Sequence, residues 1–214
     1  GTCLNVGCIP TKSMLHSAEL LQNVIEGEKY GILSDNVRID FDKIQEKKCE
    51  IIKKLVGGVK TLLLSNGVKI ISGKASFIDK NTLSVNTEKG TETIVADKFI
   101  IATGSIPAKP PIPGTDSEKC IDSTEALGLK EIPKTLLIVG GGVIGVEIAT
   151  LYNALGCKIV IIEMLNEILP MMDAELVKIM RRKLEKKGIE IYTGAKVISF
   201  KDAGINVDVT VEMN

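Results

Sequence analysis

One histidine, no net charge and no long apolar run set the outer limits for this 214-residue chain. Lysine plus arginine and aspartate plus glutamate each number 27, which leaves no electrostatic footprint for nucleic acid or an anionic membrane surface, and neither is expected as a partner. The longest stretch free of polar side chains, Leu136 to Val146, is eleven residues and holds four glycines. Spanning a bilayer takes roughly 20, so a soluble chain is expected. Of five cysteines, Cys49, Cys120 and Cys157 stand alone without metal-ligand spacing and read as small buried apolar residues. No metal site is expected. Such cysteine usage suits a reducing compartment: the cytoplasm, or the mitochondrial matrix in a eukaryote. The chain also opens on Gly1 rather than methionine, so any targeting segment is out of view.

What is present begins at once, in Gly1-Thr2-Cys3-Leu4-Asn5-Val6-Gly7-Cys8-Ile9-Pro10-Thr11-Lys12. Residues five apart in a regular helix lie about 8–9 Å apart at Cα, whereas a disulfide needs about 4.4–6.8 Å. If Cys3 and Cys8 pair, the backbone between them must bulge, and Gly7 supplies the freedom. Pro10 suits the first turn of a helix starting near Cys8. Cys8 would then sit at the positive end of a helix dipole with Lys12 one turn on, an environment that favours a thiolate. Two small buried side chains, or a bridge stapling a short loop, would also account for a cysteine pair.

The apolar spacing of Met14, Leu15, Ala18, Leu21 and Val24/Ile25 predicts a helix from Pro10 to about Ile25. His16 lies on it, two turns beyond Cys8; a base for the thiols is one reading and a solvated residue the simpler one. A second helix is expected from Phe41 to about Ser65, with Gly57-Gly58 a point where it could kink. Four short strands, Val68–Ser72, Ala75–Ile78, Thr82–Asn86 and Thr93–Ala96, would form a small antiparallel layer. Lys98 to Ser105 reads as a buried strand ending in a turn of small residues, Thr103-Gly104-Ser105. Pro107, Pro110, Pro111, Pro113 and Gly114 form a stiff connector, where a domain boundary is expected.

Beyond Pro133, a buried strand from Thr135 to Val139 runs into Gly140-Gly141-Gly142-Val143-Ile144-Gly145. A helix to about Leu155 follows, then a strand Lys158–Ile162 closed by Glu163, 23 residues after Gly140. Strand, Gly-x-Gly-x-x-Gly, helix, strand and terminal acid together form a dinucleotide-binding fingerprint. Gly140 makes the tight turn, Gly142 admits a pyrophosphate, and Gly145 lets helix and strand pack closely. The helix start at Val143 and Ile144 offers free N–H groups. Glu163 would bond the adenine-ribose hydroxyls and repel a 2′-phosphate, favouring NAD over NADP. Asp173 is expected to cap a helix from Ala174 to Lys187, followed by a strand Ile189–Tyr192 and a hairpin of Val197–Phe200 with Ile205–Val211.

The twelve opening residues resemble the redox-active segment of the flavin-dependent pyridine nucleotide-disulfide reductases, and Leu4, Ile9 and Thr11 resemble its dihydrolipoamide dehydrogenase branch. Ala102-Thr103-Gly104-Ser105 resembles that family's second flavin-contact motif, and the glycine fingerprint follows in family order. The resemblance implies an α/β fold with two nucleotide-binding, Rossmann-like domains and small antiparallel β layers: a partial FAD-binding domain over 1–114 and an NAD-binding domain over 115–214. It implies that Cys8 lies next to the flavin ring and that Cys3 exchanges with the substrate disulfide. Lys12 would stand near the flavin's reactive edge, paired with Glu147, and Thr103, Gly104 and Ser105 would touch FAD. Ala75 stands where the family tends to have a glycine contacting the adenine half of FAD, and Val197 falls near an NAD contact. The implied substrate is a lipoyl group on an acyltransferase or glycine-cleavage carrier, and the implied assembly a homodimer. By the same resemblance, an upstream FAD glycine motif and a C-terminal dimerisation domain would lie outside these residues.

Overall fold

The computed structural model describes residues 1–213. In chain order the elements are α1 (Thr2–Val6), α2 (Cys8–Glu26), a 3-10 turn (Gly27–Tyr30), α3 (Phe41–Ser65), β1 (Lys74–Asp79), β2 (Thr82–Thr87), β3 (Gly90–Val95) and α4 (Ser123–Ala126). Then come β4 (Thr135–Val139), α5 (Val143–Ala154), β5 (Lys158–Glu163), α6 (Ala174–Lys186), β6 (Glu190–Thr193), β7 (Ala195–Ala203) and β8 (Asn206–Met213). They fall into two compact units. One comprises Lys53–Ser105 with Gly1; the other comprises Thr2–Ile52 and the residues from Ile106 onward. The helix carrying the dithiol packs with elements that follow the proline connector, through Met14 and Ala18.

In the larger unit β4, β5 and β6 form a parallel sheet in that order, with Leu136 opposite Ile159 and Ile161 opposite Ile191. The α5 sequence is apolar on most of its surface, as burial against both strand and helix requires. It buries Val146, Ile148, Ala149, Leu151 and Tyr152. Met14 and Ala18 of α2 join the same core, with Ile159 and Ile161 of β5, Val177 and Leu184 of α6, and Ile189. Full burial of a side chain such as Leu151 or Ile161 is worth about 1.5–3 kcal/mol. Side chains close the helix ends: Gln22 Nε2 donates to Ala154 O at 2.8 Å, and Lys48 Nζ donates to Leu127 O at 2.6 Å. Burial pushes the Lys48 ammonium down from its ordinary value. The connector is seated by Phe200 N donating to Pro113 O at 2.8 Å, and Gly114, at φ +87°, lies so close to Phe200 that a Cβ there would strike its carbonyl oxygen.

The smaller unit holds the antiparallel sheet β1-β2-β3 and an edge-to-face contact between Phe77 and Phe99, ring centres 5.2 Å apart. Two expected strands are absent from the described residues. Val68–Ser72 leads into β1 without pairing, and Lys98–Ser105 carries no regular secondary structure, with Ile100 94% and Ile101 73% exposed. A buried strand exists only through ladder partners on its flanks, and the described residues assign none to these two segments. Helix α3 runs unbroken through Gly57-Gly58.

Candidate functional site

The twelve-residue opening folds as two helices broken at Gly7. Gly7 suits the break, because a Cβ there would press to 3.2 Å from the Cys3 Cα and the Thr2 carbonyl oxygen. The Gly7 carbonyl accepts from Thr11 N (3.1 Å) and Thr11 Oγ1 (2.7 Å), which ties the break to the first turn of α2. Cys3 on α1 and Cys8 at the start of α2 are free, exposed thiols brought into hydrogen-bonding contact. That contact is the largest influence raising the Cys3 thiol above its ordinary value; the Cys8 backbone N–H and the Lys12 ammonium act weakly in the other direction. His16 is well exposed and lies 3.8 Å from Glu19, as a solvated residue would.

Lys12, one turn beyond Cys8, places Nζ 3.3 Å from Glu147 Oε1 on α5. The dithiol helix is thus tethered to the helix that opens the glycine turn. Gly140 has φ +104°, a conformation only glycine adopts without strain. Gly145 packs so that a Cβ would come 2.2 Å from Gly140 O. At Gly142, the N-cap of α5, a Cβ would meet nothing within 4 Å. The first turn, with Val143 and Ile144 exposed and Gly145 half-buried, carries N–H groups that have no acceptor within the helix.

Glu163 is placed differently from a free ribose ligand. Its carboxylate is 7% exposed and accepts from Gly141 N and Leu165 N, both at 2.7 Å. Val197 is 5% exposed and packs with Ile162 and Ala195, so its side chain is core. Only its backbone, beside the bulge between Val197 and Ser199, is left for a nucleotide. In the smaller unit, Ala75 sits on β1 opposite Val85 and is exposed. Thr103, Gly104 (φ +81°) and Ser105 lie in the exposed segment after Phe99. The sequence pattern passed over Gly141, whose Cβ would come 2.6 Å from Ile168 Cγ2, and Leu169, whose N–H donates to Gly141 O at 2.8 Å. The only signal for Gly141 was a third glycine where the fingerprint asks for two.

Compared with known proteins, residues 1–214 match the pyridine nucleotide-disulphide oxidoreductase family. The chain belongs to that family. Within it, the chain is 41% identical to the dihydrolipoyl dehydrogenases of Geobacillus stearothermophilus and Bacillus subtilis, each over 100% of the chain and 45% of the relative. It is 39% identical to that of Haemophilus influenzae, over 97% of the chain and 44% of the relative. Among solved structures it is similar to the HOCl-induced flavoprotein disulfide reductase RclA from Escherichia coli, with TM-score 0.84 and 33% identity over 99% of the chain and 45% of that one. The chain thus spans less than half the length of the relatives it matches. The fold is that of a flavoprotein disulfide reductase of this family.

The family's two nucleotides can be tested against the residues present. The open backbone at Gly142, beside the N–H groups of α5, fits a pyrophosphate: nothing stands within 4 Å of where a Cβ would be, so the group can approach closely, and the helix N-terminus favours negative charge. Thr103, Gly104 and Ser105 offer hydroxyls and a bare backbone for close approach of FAD. Among the described residues no cluster of three or more His, Cys, Asp or Glu could hold a metal ion, and no helix is long and apolar enough to cross a membrane.

Proposed function

We propose that the whole protein carrying this chain is an NAD-dependent dihydrolipoyl dehydrogenase, reoxidising lipoyl groups on the acyltransferase or glycine-cleavage carrier of a multienzyme complex. The observation that supports this most is the pair of exposed, hydrogen-bonded sulfurs on a helix tethered by Lys12 and Glu147 to the glycine-turn helix. In the oxidised form Cys3 and Cys8 are joined by a disulfide. A dihydrolipoyl thiolate attacks the Cys3 sulfur, forming a mixed disulfide and releasing the Cys8 thiolate. The second lipoyl thiol, deprotonated, attacks the lipoyl sulfur of that mixed disulfide, closing the lipoyl ring and releasing Cys3, so that two electrons pass to the protein. Cys3, raised by its contact with Cys8, takes up the proton. FAD and NAD, when bound, supply the redox chemistry that delivers those electrons to nicotinamide as a hydride.

In this reading 1–114 serves FAD and 115–214 serves NAD. Thr103, Gly104, Ser105 and, through its backbone, Ala75 contact FAD, with Lys12 near the reactive edge of the flavin. Gly140, Gly142, Val143, Ile144 and Gly145 hold the NAD diphosphate. Glu163 uses its remaining lone pairs for the adenine ribose, and the Val197 backbone contributes. The enzyme is a homodimer of the cytoplasm, or of the mitochondrial matrix in a eukaryote. The isolated chain, at 45% of its relatives' length, is expected to turn over little.

A second reading, a disulfide or mercuric reductase acting on another substrate, draws on the likeness to the Escherichia coli reductase. Steady-state assays of the whole protein with NADH or NADPH, against lipoamide, glutathione disulfide and Hg(II), separate the two. Preference for lipoamide with NADH is expected. Preference for glutathione disulfide or Hg(II), or for NADPH, would overturn the proposal.

A further inference from the structure

The second glycine of the triplet is held on every side by one short segment. Gly141 N–H donates to Glu163 Oε2 at 2.7 Å, Gly141 O accepts from Leu169 N at 2.8 Å, and Ile168, fully buried, backs its Cα. The segment from Glu163 to Leu169 therefore fixes both peptide groups of Gly141, between the turn at Gly140 and the open backbone at Gly142. Holding it there forces Leu169 to φ +51°, a left-handed conformation that L side chains resist. Something must keep the segment from relaxing.

Its inner end is anchored by Leu165, whose N–H donates to Glu163 Oε1 at 2.7 Å and whose carbonyl accepts from Gly194 N at 2.8 Å. Its outer end is anchored by an ion pair. Glu167 Oε1 accepts from Arg181 Nη1 at 2.8 Å, and the same guanidinium reaches Thr193 Oγ1 at 3.4 Å and Ile191 O at 3.5 Å on β6. A second arm of Arg181 goes to Glu185, one turn along α6, at 2.9 Å. The Arg181 side chain is 24% exposed, so the pair is only partly screened by solvent. A planar fork serves strand, helix and segment at once, which a lysine could not do.

We infer that Arg181 is a positioning residue for the dinucleotide turn: through Glu167 it locks the 163–169 segment, and the segment locks Gly141. This rests on reading the glycine turn as a dinucleotide site. The role runs through Glu167 rather than Glu185, since Glu185 is bonded to Arg181 along α6 and not to the segment.

The test is amide hydrogen exchange of the nucleotide-free whole protein, paired with NADH titration, in wild type, Arg181→Ala, Arg181→Lys, Glu167→Gln and Glu185→Gln. Peptides covering 139–147 and the Leu169 amide are expected to exchange about five- to tenfold faster in Arg181→Ala and Glu167→Gln, at wild-type rate in Glu185→Gln, and in between in Arg181→Lys. The NADH dissociation constant should rise by a similar factor in the first two variants alone. The isosteric Glu167→Gln keeps the test sharp if Arg181→Ala fails to fold. Unchanged exchange at 139–147 in Glu167→Gln, or an equal response in Glu185→Gln, would overturn the inference. Exchange that responds as stated in a wild-type protein that binds no NADH would leave the lock standing and sink the dinucleotide reading instead.

Discussion

Lys12 and Glu147, 135 residues apart, meet at 3.3 Å and join the helix that carries the dithiol to the helix that opens the glycine turn. The side chains are 63% and 34% exposed, so water screens the pair. A double-mutant cycle with Lys12→Met and Glu147→Gln, read by urea unfolding, should give a coupling of no more than about 1 kcal/mol that shrinks in salt. Lys12→Met should also move the alkylation of Cys3 to higher pH, because the ammonium acts to lower that thiol.

Removing the other sulfur should do the opposite. The hydrogen bond to Cys8 is the main influence raising Cys3, so in Cys8→Ala the thiol returns toward its ordinary value. Iodoacetamide labelling of Cys3 against pH, followed by mass spectrometry, should show its inflection at lower pH than in the reduced wild type. An inflection that stayed in place would mean the two sulfurs do not share a proton in solution.

Two glycines of one motif should answer alanine in different ways. At Gly145 the added Cβ meets Gly140 O at 2.2 Å, an overpacking expected to cost about 1–3 kcal/mol of stability along with nucleotide binding. At Gly142 the Cβ meets nothing, and stability should change by no more than about 1 kcal/mol. NADH binding should nonetheless be lost, because the methyl occupies the space left for the diphosphate. Thermal unfolding and NADH fluorescence titration on both variants separate the two effects.

The core of the larger unit predicts a loss of stability in alkali. Burial raises Cys157 from 9.0 to about 11 and Tyr152 from 10.0 to about 12. Between the unfolded and folded values, the unfolded chain has released these protons while the folded one keeps them. Stability is therefore fully present below about pH 9 and falls as pH rises through 11 and 12. Urea midpoints at pH 7, 9, 10 and 11 should show the fall beginning above pH 9, and Cys157→Ala should delay its onset toward pH 10.

Much of this was written locally in the chain. The apolar spacing of α2 and α3 fixed their extents to within about two residues, and Asp173 does cap α6, accepting from Glu175 N and Leu176 N. Those signals depend on neighbours within one or two turns. Lys98–Ser105 misled for the complementary reason: a run of Phe99, Ile100 and Ile101 promises a buried strand, but burial depends on partners that the described residues do not supply. The site shows the same division. Gly140, Gly142 and Gly145 announce themselves by spacing, whereas the Arg181–Glu167 pair and the Leu169 amide are brought to Gly141 by tertiary packing alone. Glu163 was expected to face a ribose; that its carboxylate also grips the turn needed the fold to be seen.

The central claim is that Cys3 and Cys8 open and close as a redox couple driven by a nicotinamide nucleotide. The most direct measurement is an anaerobic count of free thiols in the whole, flavin-loaded protein before and after stoichiometric NADH, in wild type, Cys3→Ser and Cys8→Ser. A gain of about two thiols per chain in wild type and none in either variant is the predicted result. No gain in wild type, or an undiminished gain in the variants, would contradict it.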